Sequence, residues 1–214
     1  MKERVFIFDF DGTLADSMKH AMQIFLDFLD EYGIKYEGDI IDKIVPMGYR
    51  KASKYFVELG VPMSEDEIFR TLCNRQVELY SSPKIELKNN VFFTLKKLYE
   101  RGERLNILSG STLEMITPCV NRMGFSELFE NIWSVDEFGL TKNNPETYKF
   151  VAEKLGVDCQ DCLFFDDNYD NLLAAKKAGM RTFGVCEEYS KSHKENIKEI
   201  SEKYIRDFSE VLDV

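Results

Sequence analysis

Histidine is almost missing: His20 and His193 are the only two in 214 residues, and they stand far apart. A structural zinc site needs a second close ligand pair, so Cys159-Gln160-Asp161-Cys162 lacks the partners it would require. It reads instead as a turn into the strand Leu163-Phe164-Phe165, with Cys162 a small buried side chain. The five cysteines are an odd number and sparse for this length, which suits reduced thiols rather than a disulfide framework. No apolar run approaches the length of a membrane-spanning helix. Met1-Lys2-Glu3-Arg4 leads into an apolar stretch too short for a secretory signal, with no small-residue cleavage site, so a cytoplasmic location is expected. Basic residues are also short, 28 against 38 acidic, for a net charge of −10. That balance argues against nucleic acid or an anionic membrane as the main partner. It leaves anionic small molecules open, because a local cation or a metal ion reverses the field within a site. Repeats and low-complexity segments are absent.

The chain does have regular alternation of apolar runs and helical patterns, the signature of a parallel sheet covered by helices. The expected strands are Val5–Asp9, Leu105–Ser109, Ile132–Val135, Leu163–Asp166 and Thr182–Val185. Helices are expected over Val91–Glu100, stopped at Gly102, over Pro145–Leu155, stopped at Gly156, and over Asn171–Ala178, stopped at Gly179. The tail from Glu187 to Lys203 is polar and reads as surface helix and loop. Phe208, Val211 and Leu212 then dock a last helix on the core.

About ninety residues separate Asp9 from Leu105, far more than a single crossover helix needs. Helical spacing dominates this gap: Ala21, Phe25, Phe28, Leu29 and Tyr32, then Tyr55, Phe56 and Leu59, then Ile68, Leu72, Val77 and Leu79. The expected fold is therefore α/β, a Rossmann-like parallel sheet flanked by helices and carrying an inserted α-helical domain. The core is assigned to residues 1–15 and 85–214, the insert to residues 16–84. Asp16 and Ser17 read as a hinge and an N-cap.

In an open parallel sheet, ligands bind beyond the carboxyl ends of the strands. The apolar run Val5-Phe6-Ile7-Phe8 ends there in Asp9-Phe10-Asp11-Gly12-Thr13-Leu14. Ser109-Gly110-Ser111 follows the second strand, Lys142 the third, and Asp166-Asp167-Asn168 the fourth. Clustered carboxylates raise one another's pKa unless a positive charge sits among them. Mg²⁺ suits such a set, since it takes a few carboxylates, waters and a phosphate oxygen. Lysine would offset charge on a bound anion, while Ser109 and the backbone at Gly110 would hold phosphate oxygens. An aspartate beside Mg²⁺ and phosphate is a candidate nucleophile.

These residues, in this order around a helical insert, resemble the four motifs of the haloacid dehalogenase-like (HAD) hydrolase superfamily. Phe165-Asp166-Asp167-Asn168 through Ala174-Ala175-Lys176-Lys177-Ala178-Gly179-Met180 is similar to its fourth-motif block. The resemblance spans nearly the whole chain, and the insert resembles the family's helical cap. It implies Asp9 as nucleophile and Asp11 as general acid and base. It implies Mg²⁺ held by Asp9, the backbone carbonyl of Asp11, and Asp167, with Asp166 assisting. Ser109, Gly110 and Lys142 would bind the transferring phosphoryl group, and Gly12 and Thr13 would shape the loop. An acid at position 11 favours phosphate esters over halides, because an alkoxide needs a proton to leave and a halide does not.

The resemblance implies a Mg²⁺-dependent phosphatase acting on a small phosphorylated metabolite, phosphoglycolate or a sugar phosphate being the examples. Ser109-Gly110-Ser111 stands where phosphoglycolate phosphatases often carry Thr-Asn-Lys, which weakens that substrate. Asn143 and Asn168 are further departures, and neither removes a catalytic group. A phosphomutase of the β-phosphoglucomutase type shares the motifs. A non-catalytic phosphate-binding regulatory module is a separate class, though such a relative would be expected to lose Asp9, Asp11 or Lys142. Phosphonate cleavage would need a cap lysine, and Lys51 and Lys54 sit in no recognisable motif. Thr13, His20 and Arg50 are candidate substrate contacts. Arg50 follows Pro46-Met47-Gly48-Tyr49, where glycine interrupts a helical region. Asp170 reads as a helix cap. Oligomeric state is not legible.

Overall fold

The computed structural model describes residues 4–44 and 47–214, without the side chain of Asp42. Expectations for Met1, Lys2, Glu3 and Pro46 lie outside the described residues. The chain forms two compact units, Met1–Asp16 with Glu86–Val214, and Ser17–Ile85.

The first unit is built on a parallel sheet in the order β3-β2-β1-β4-β5-β6. Its strands are β1 (Val5–Phe8), β2 (Arg104–Ser109), β3 (Asn131–Ser134), β4 (Cys162–Asp166), β5 (Arg181–Val185) and β6 (Lys203–Ile205). Central β1 pairs with β2 on one side, Val5 opposite Arg104, and with β4 on the other, Val5 opposite Cys162. All four β1 side chains are fully buried, which is why the strand shows no polar alternation. On one face Phe8, Phe165 and Phe183 stack at 4.9 and 4.7 Å between ring centroids. On the other, Val5, Ile7 and Phe164 pack with Tyr148, Val151, Leu172 and Ala175. Those last residues lie on α7 (Pro145–Leu155) and α8 (Tyr169–Ala178). The remaining helices of this unit are α5 (Val91–Glu100), α6 (Leu113–Arg122) and α9 (Lys194–Ile200).

The expected strands and helices of the core fall within two residues of the observed ones. Three readings need correction. The tail contributes a sixth strand, β6, at the sheet edge, where only Ile205 is buried. Three residues with a single buried side chain carry no detectable alternation, and a short lysine-bearing edge strand also limits unwanted pairing. The last element, Phe208–Asp213, is a 3₁₀ helix, with Phe208 and Val211 buried and Leu212 only half-buried. Finally, α8 is capped by Asn168, whose side chain accepts from the N–H groups of Asp170 and Asn171 at 2.9 and 3.2 Å. Asp170 sits in the first turn, where it complements the helix dipole.

The second unit is helical: α1 (Met18–Glu31), α2 (Ile40–Ile44), α3 (Gly48–Glu58) and α4 (Glu65–Ser81). Its core joins Phe25, Phe28 and Leu29 of α1 to Phe56 of α3 and Ile68 and Leu72 of α4. The buried stripe of α4 runs Ile68, Leu72, Gln76 and Tyr80. Ile68 and Leu72 match the expected stripe, whereas Val77 and Leu79 are only half-buried, because Gln76 and Tyr80 take the buried positions and a glutamine breaks the apolar pattern. Ser17 takes the N-cap position of α1 without a side-chain cap hydrogen bond, and its carbonyl accepts from His20 and Ala21. No helix among the described residues is long and apolar enough to cross a membrane.

Candidate active site

The carboxyl end of β1 continues one residue into the ladder, where the Asp9 N–H donates to the Phe165 carbonyl at 2.9 Å. The chain then turns tightly, with the N–H groups of Leu14 and Ala15 both donating to the Phe10 carbonyl. Gly12 lies in this turn at φ +78°, and a Cβ there would stand 3.0 Å from the Asp167 carboxyl atoms. Only glycine both adopts that backbone and lets two strand ends approach so closely.

Lys142 extends from the segment after β3 into the same place. Its backbone is pinned where the Tyr148 hydroxyl donates to the Lys142 carbonyl at 2.7 Å. Pro145 and the Asn144 cap, which accepts from the Glu146 N–H at 3.1 Å, fix the start of α7 just beyond it. The Lys142 ammonium lies 2.5 Å from a carboxylate oxygen of Asp9 and 2.5 Å from one of Asp166. All three groups are buried.

Asp166 is held from every side. Its Oδ1 accepts from the Asn168 N–H at 2.7 Å, and the Asn171 amide donates to both oxygens at 3.3 and 3.2 Å. Asp167 accepts from the Thr13 hydroxyl at 3.3 Å and the Ser190 hydroxyl at 2.9 Å. Ser109 is buried at the end of β2, its hydroxyl accepting from the Ser111 N–H at 2.9 Å. Ser111 in turn donates its hydroxyl to Asp11 Oδ2 at 2.7 Å.

Asp9, Asp166 and Asp167 each offer a carboxylate oxygen, all within 4.8 Å of one another. Burial pushes the Asp9 carboxyl well above its ordinary pKa; Lys142 opposes this, and Asp166, Asp167 and Asp11 add to it. Asp167 is pushed up to about 7 by burial and by Asp166, against the pull of Lys88. Burial alone would lower the Lys142 pKa, but the Asp166 and Asp9 charges and hydrogen bonds outweigh it and raise it. One ammonium among three carboxylates leaves the cluster electron-rich, and every donor is a hard oxygen. This chemistry fits a hard divalent cation.

The structure thus brings together Asp9, Asp11, Ser109, Lys142, Asp166 and Asp167 at one sheet edge, with exposed Gly110 beside them. Thr13 is fully buried and turned to Asp167. His20 and Arg50 belong to the helical unit. His20 is half-buried on α1. Arg50 pairs with Asp66 at 2.6 Å and lies over the Phe69 ring at 3.8 Å. Sequence reasoning did not assign Ser111, Ser190, Asn171 or Tyr148. Ser111 had a signal, two residues beyond Ser109; Ser190 had none within a charged tail.

The haloacid dehalogenase-like hydrolase family matches residues 6–185, and the chain belongs to that family. It is 28% identical over 182 residues to the pyrophosphatase PpaX of Bacillus pumilus, covering 84% of this chain and 82% of the relative. It is 28% identical over 180 residues to the phosphoglycolate phosphatase of Aquifex aeolicus, covering 84% and 83%. Among solved structures, CbbY from Rhodobacter sphaeroides in complex with phosphate superposes with a TM-score of 0.80 at 21% identity, covering 98% of this chain and 96% of that one. That likeness speaks to the fold.

Proposed function

We propose that the protein is a Mg²⁺-dependent phosphatase that hydrolyses a small phosphorylated metabolite through an aspartyl-phosphate. The observation that carries this reading is Lys142 bridging Asp9 and Asp166 beside Asp167. It supplies an oriented carboxylate, its charged form favoured by the lysine, in a buried, oxygen-lined site. Asp9, the backbone carbonyl of Asp11, and Asp167 would hold Mg²⁺. When bound, the ion neutralises charge on the phosphoryl oxygens. Asp166, saturated by Lys142, Asn168 and Asn171, acts mainly to hold the lysine.

In the first half-reaction an Asp9 oxygen bonds to phosphorus and the bond from phosphorus to the ester oxygen breaks. Asp11 gives its proton to the departing alkoxide, which leaves as alcohol. Ser109, the Gly110 N–H and Lys142 bind the equatorial oxygens as charge redistributes. In the second, water attacks phosphorus, Asp11 takes its proton, inorganic phosphate leaves and the Asp9 carboxylate returns.

The substrate class is supported by the relatives named as phosphoglycolate phosphatase and pyrophosphatase. All five cysteines are free thiols, which supports a reducing, cytoplasmic setting. The test is phosphate release from a panel of phosphoglycolate, pyrophosphate and sugar phosphates, with Mg²⁺ and with EDTA. Release from at least one compound, lost in EDTA and in Asp9→Asn, is expected. Release that persists in EDTA would refute the metal dependence.

A further inference from the structure

We propose that Ser111 is the positioning residue for the proton-transferring carboxylate of Asp11. The proposal rests on the phosphatase reading and adds to it. Asp11 leaves the turn after β1 half-buried, on a side chain with rotatable torsions. A general acid is effective only when its oxygen meets the leaving oxygen within hydrogen-bond reach, so a free rotamer would waste encounters. The Ser111 hydroxyl donates to Asp11 Oδ2 at 2.7 Å, across one hundred residues of chain.

Ser111 is itself fixed. Its N–H donates to the Ser109 Oγ at 2.9 Å, closing a tight turn at the end of β2. Thr112 then leads into α6, which begins at Leu113. Ser109, assigned above to the phosphoryl group, and Asp11, assigned to the leaving oxygen, are thereby spanned by one side chain and its own N–H. A phosphate held by Ser109 and a proton held by Asp11 share a common frame. A neighbouring hydroxyl suffices for this, because a hydrogen bond to a carboxyl group is directional as well as strong.

The distinguishing property of such a residue is dependence on the leaving group. A departing phenolate of high pKa needs a proton, whereas a strongly acidic phenol leaves without one. The experiment compares wild type, Ser111→Ala and Ser111→Thr on phenyl, p-nitrophenyl and 2,4-dinitrophenyl phosphate, with Mg²⁺ present. Ser111→Ala is expected to lose about tenfold more kcat/KM on phenyl phosphate than on 2,4-dinitrophenyl phosphate, within the range of general acid catalysis. Ser111→Thr, which keeps the hydroxyl, is expected to restore the wild-type dependence. An equal loss on all three esters, as misfolding or lost phosphate binding gives, would overturn the positioning role and leave the phosphatase reading intact. Failure of Ser111→Thr to restore the dependence would also overturn it. Wild type releasing phosphate neither from these three esters nor from any of the metabolites named above would overturn both.

Discussion

Lys142 and Asp9 form a buried ion pair at 2.5 Å, reaching across 133 residues to join the segment after β3 to the end of β1. The same ammonium touches Asp166, so one cation organises two strand ends. A buried pair is costly to break, since the partner left behind stays desolvated. Replacing Lys142 with alanine is therefore expected to lower kcat by at least roughly 10²-fold, as loss of a preorganised charge does. Thermal melting should fall as well, by more in EDTA than in Mg²⁺, because the ion partly compensates the missing charge. Steady-state kinetics and melting curves in both conditions check this.

The raised pKa of Asp9 and of Asp167 gives the metal-free protein a defined pH response. Their folded-state values lie above the ordinary carboxylate value of 3.8, with Asp167 at about 7. The folded state then binds more protons than the unfolded state between those limits, so stability falls as pH rises through this window. Below the unfolded value both states are protonated and no penalty remains. Above about 7 the Asp167 penalty is complete. A divalent cation offsets the burial of that charge and its repulsion by Asp166, so the rise in melting temperature on adding Mg²⁺ should be small at pH 5 and larger at pH 8. A rise of equal size at both would contradict this electrostatic account.

Gly12 should resist replacement. Alanine there would meet a positive φ of +78° and place its Cβ 3.0 Å from the Asp167 carboxyl. The backbone cost alone is about 1–2 kcal/mol. Gly12→Ala is expected to melt several degrees lower and to bind Mg²⁺ more weakly, measured by calorimetric titration, since Asp167 must move.

Asn168→Ala removes the cap of α8, whose side chain serves two N–H groups. A loss of about 1 kcal/mol in denaturant unfolding is expected. Asp170→Ala should cost less, because it contributes only through the helix dipole.

The core and its sheet edge were legible because their signals are physical necessities. A strand buried on both faces must be apolar throughout, as Val5–Phe8 is, and the first polar residues after it mark the strand's end. Helix stops at Gly102, Gly156 and Gly179 follow from the left-handed turn each one makes. β6 was hidden because it buries one side chain in three. The second half of the α4 stripe was hidden because Gln76, though buried, is polar. The acids and Lys142 could be assigned to one site from topology. The hydroxyl groups that orient them could not: Ser190 reaches Asp167 from a charged tail, and only a folded chain relates the two.

The most direct test of the account is to acid-quench the enzyme during turnover of a labelled phosphate ester with Mg²⁺ and map the label by peptide mass spectrometry. The account predicts a phosphoryl group on the peptide that carries Asp9, absent without Mg²⁺ and absent, together with turnover, in Asp9→Asn. Turnover by Asp9→Asn at the wild-type rate, or a phosphoryl group found on another residue, would contradict it.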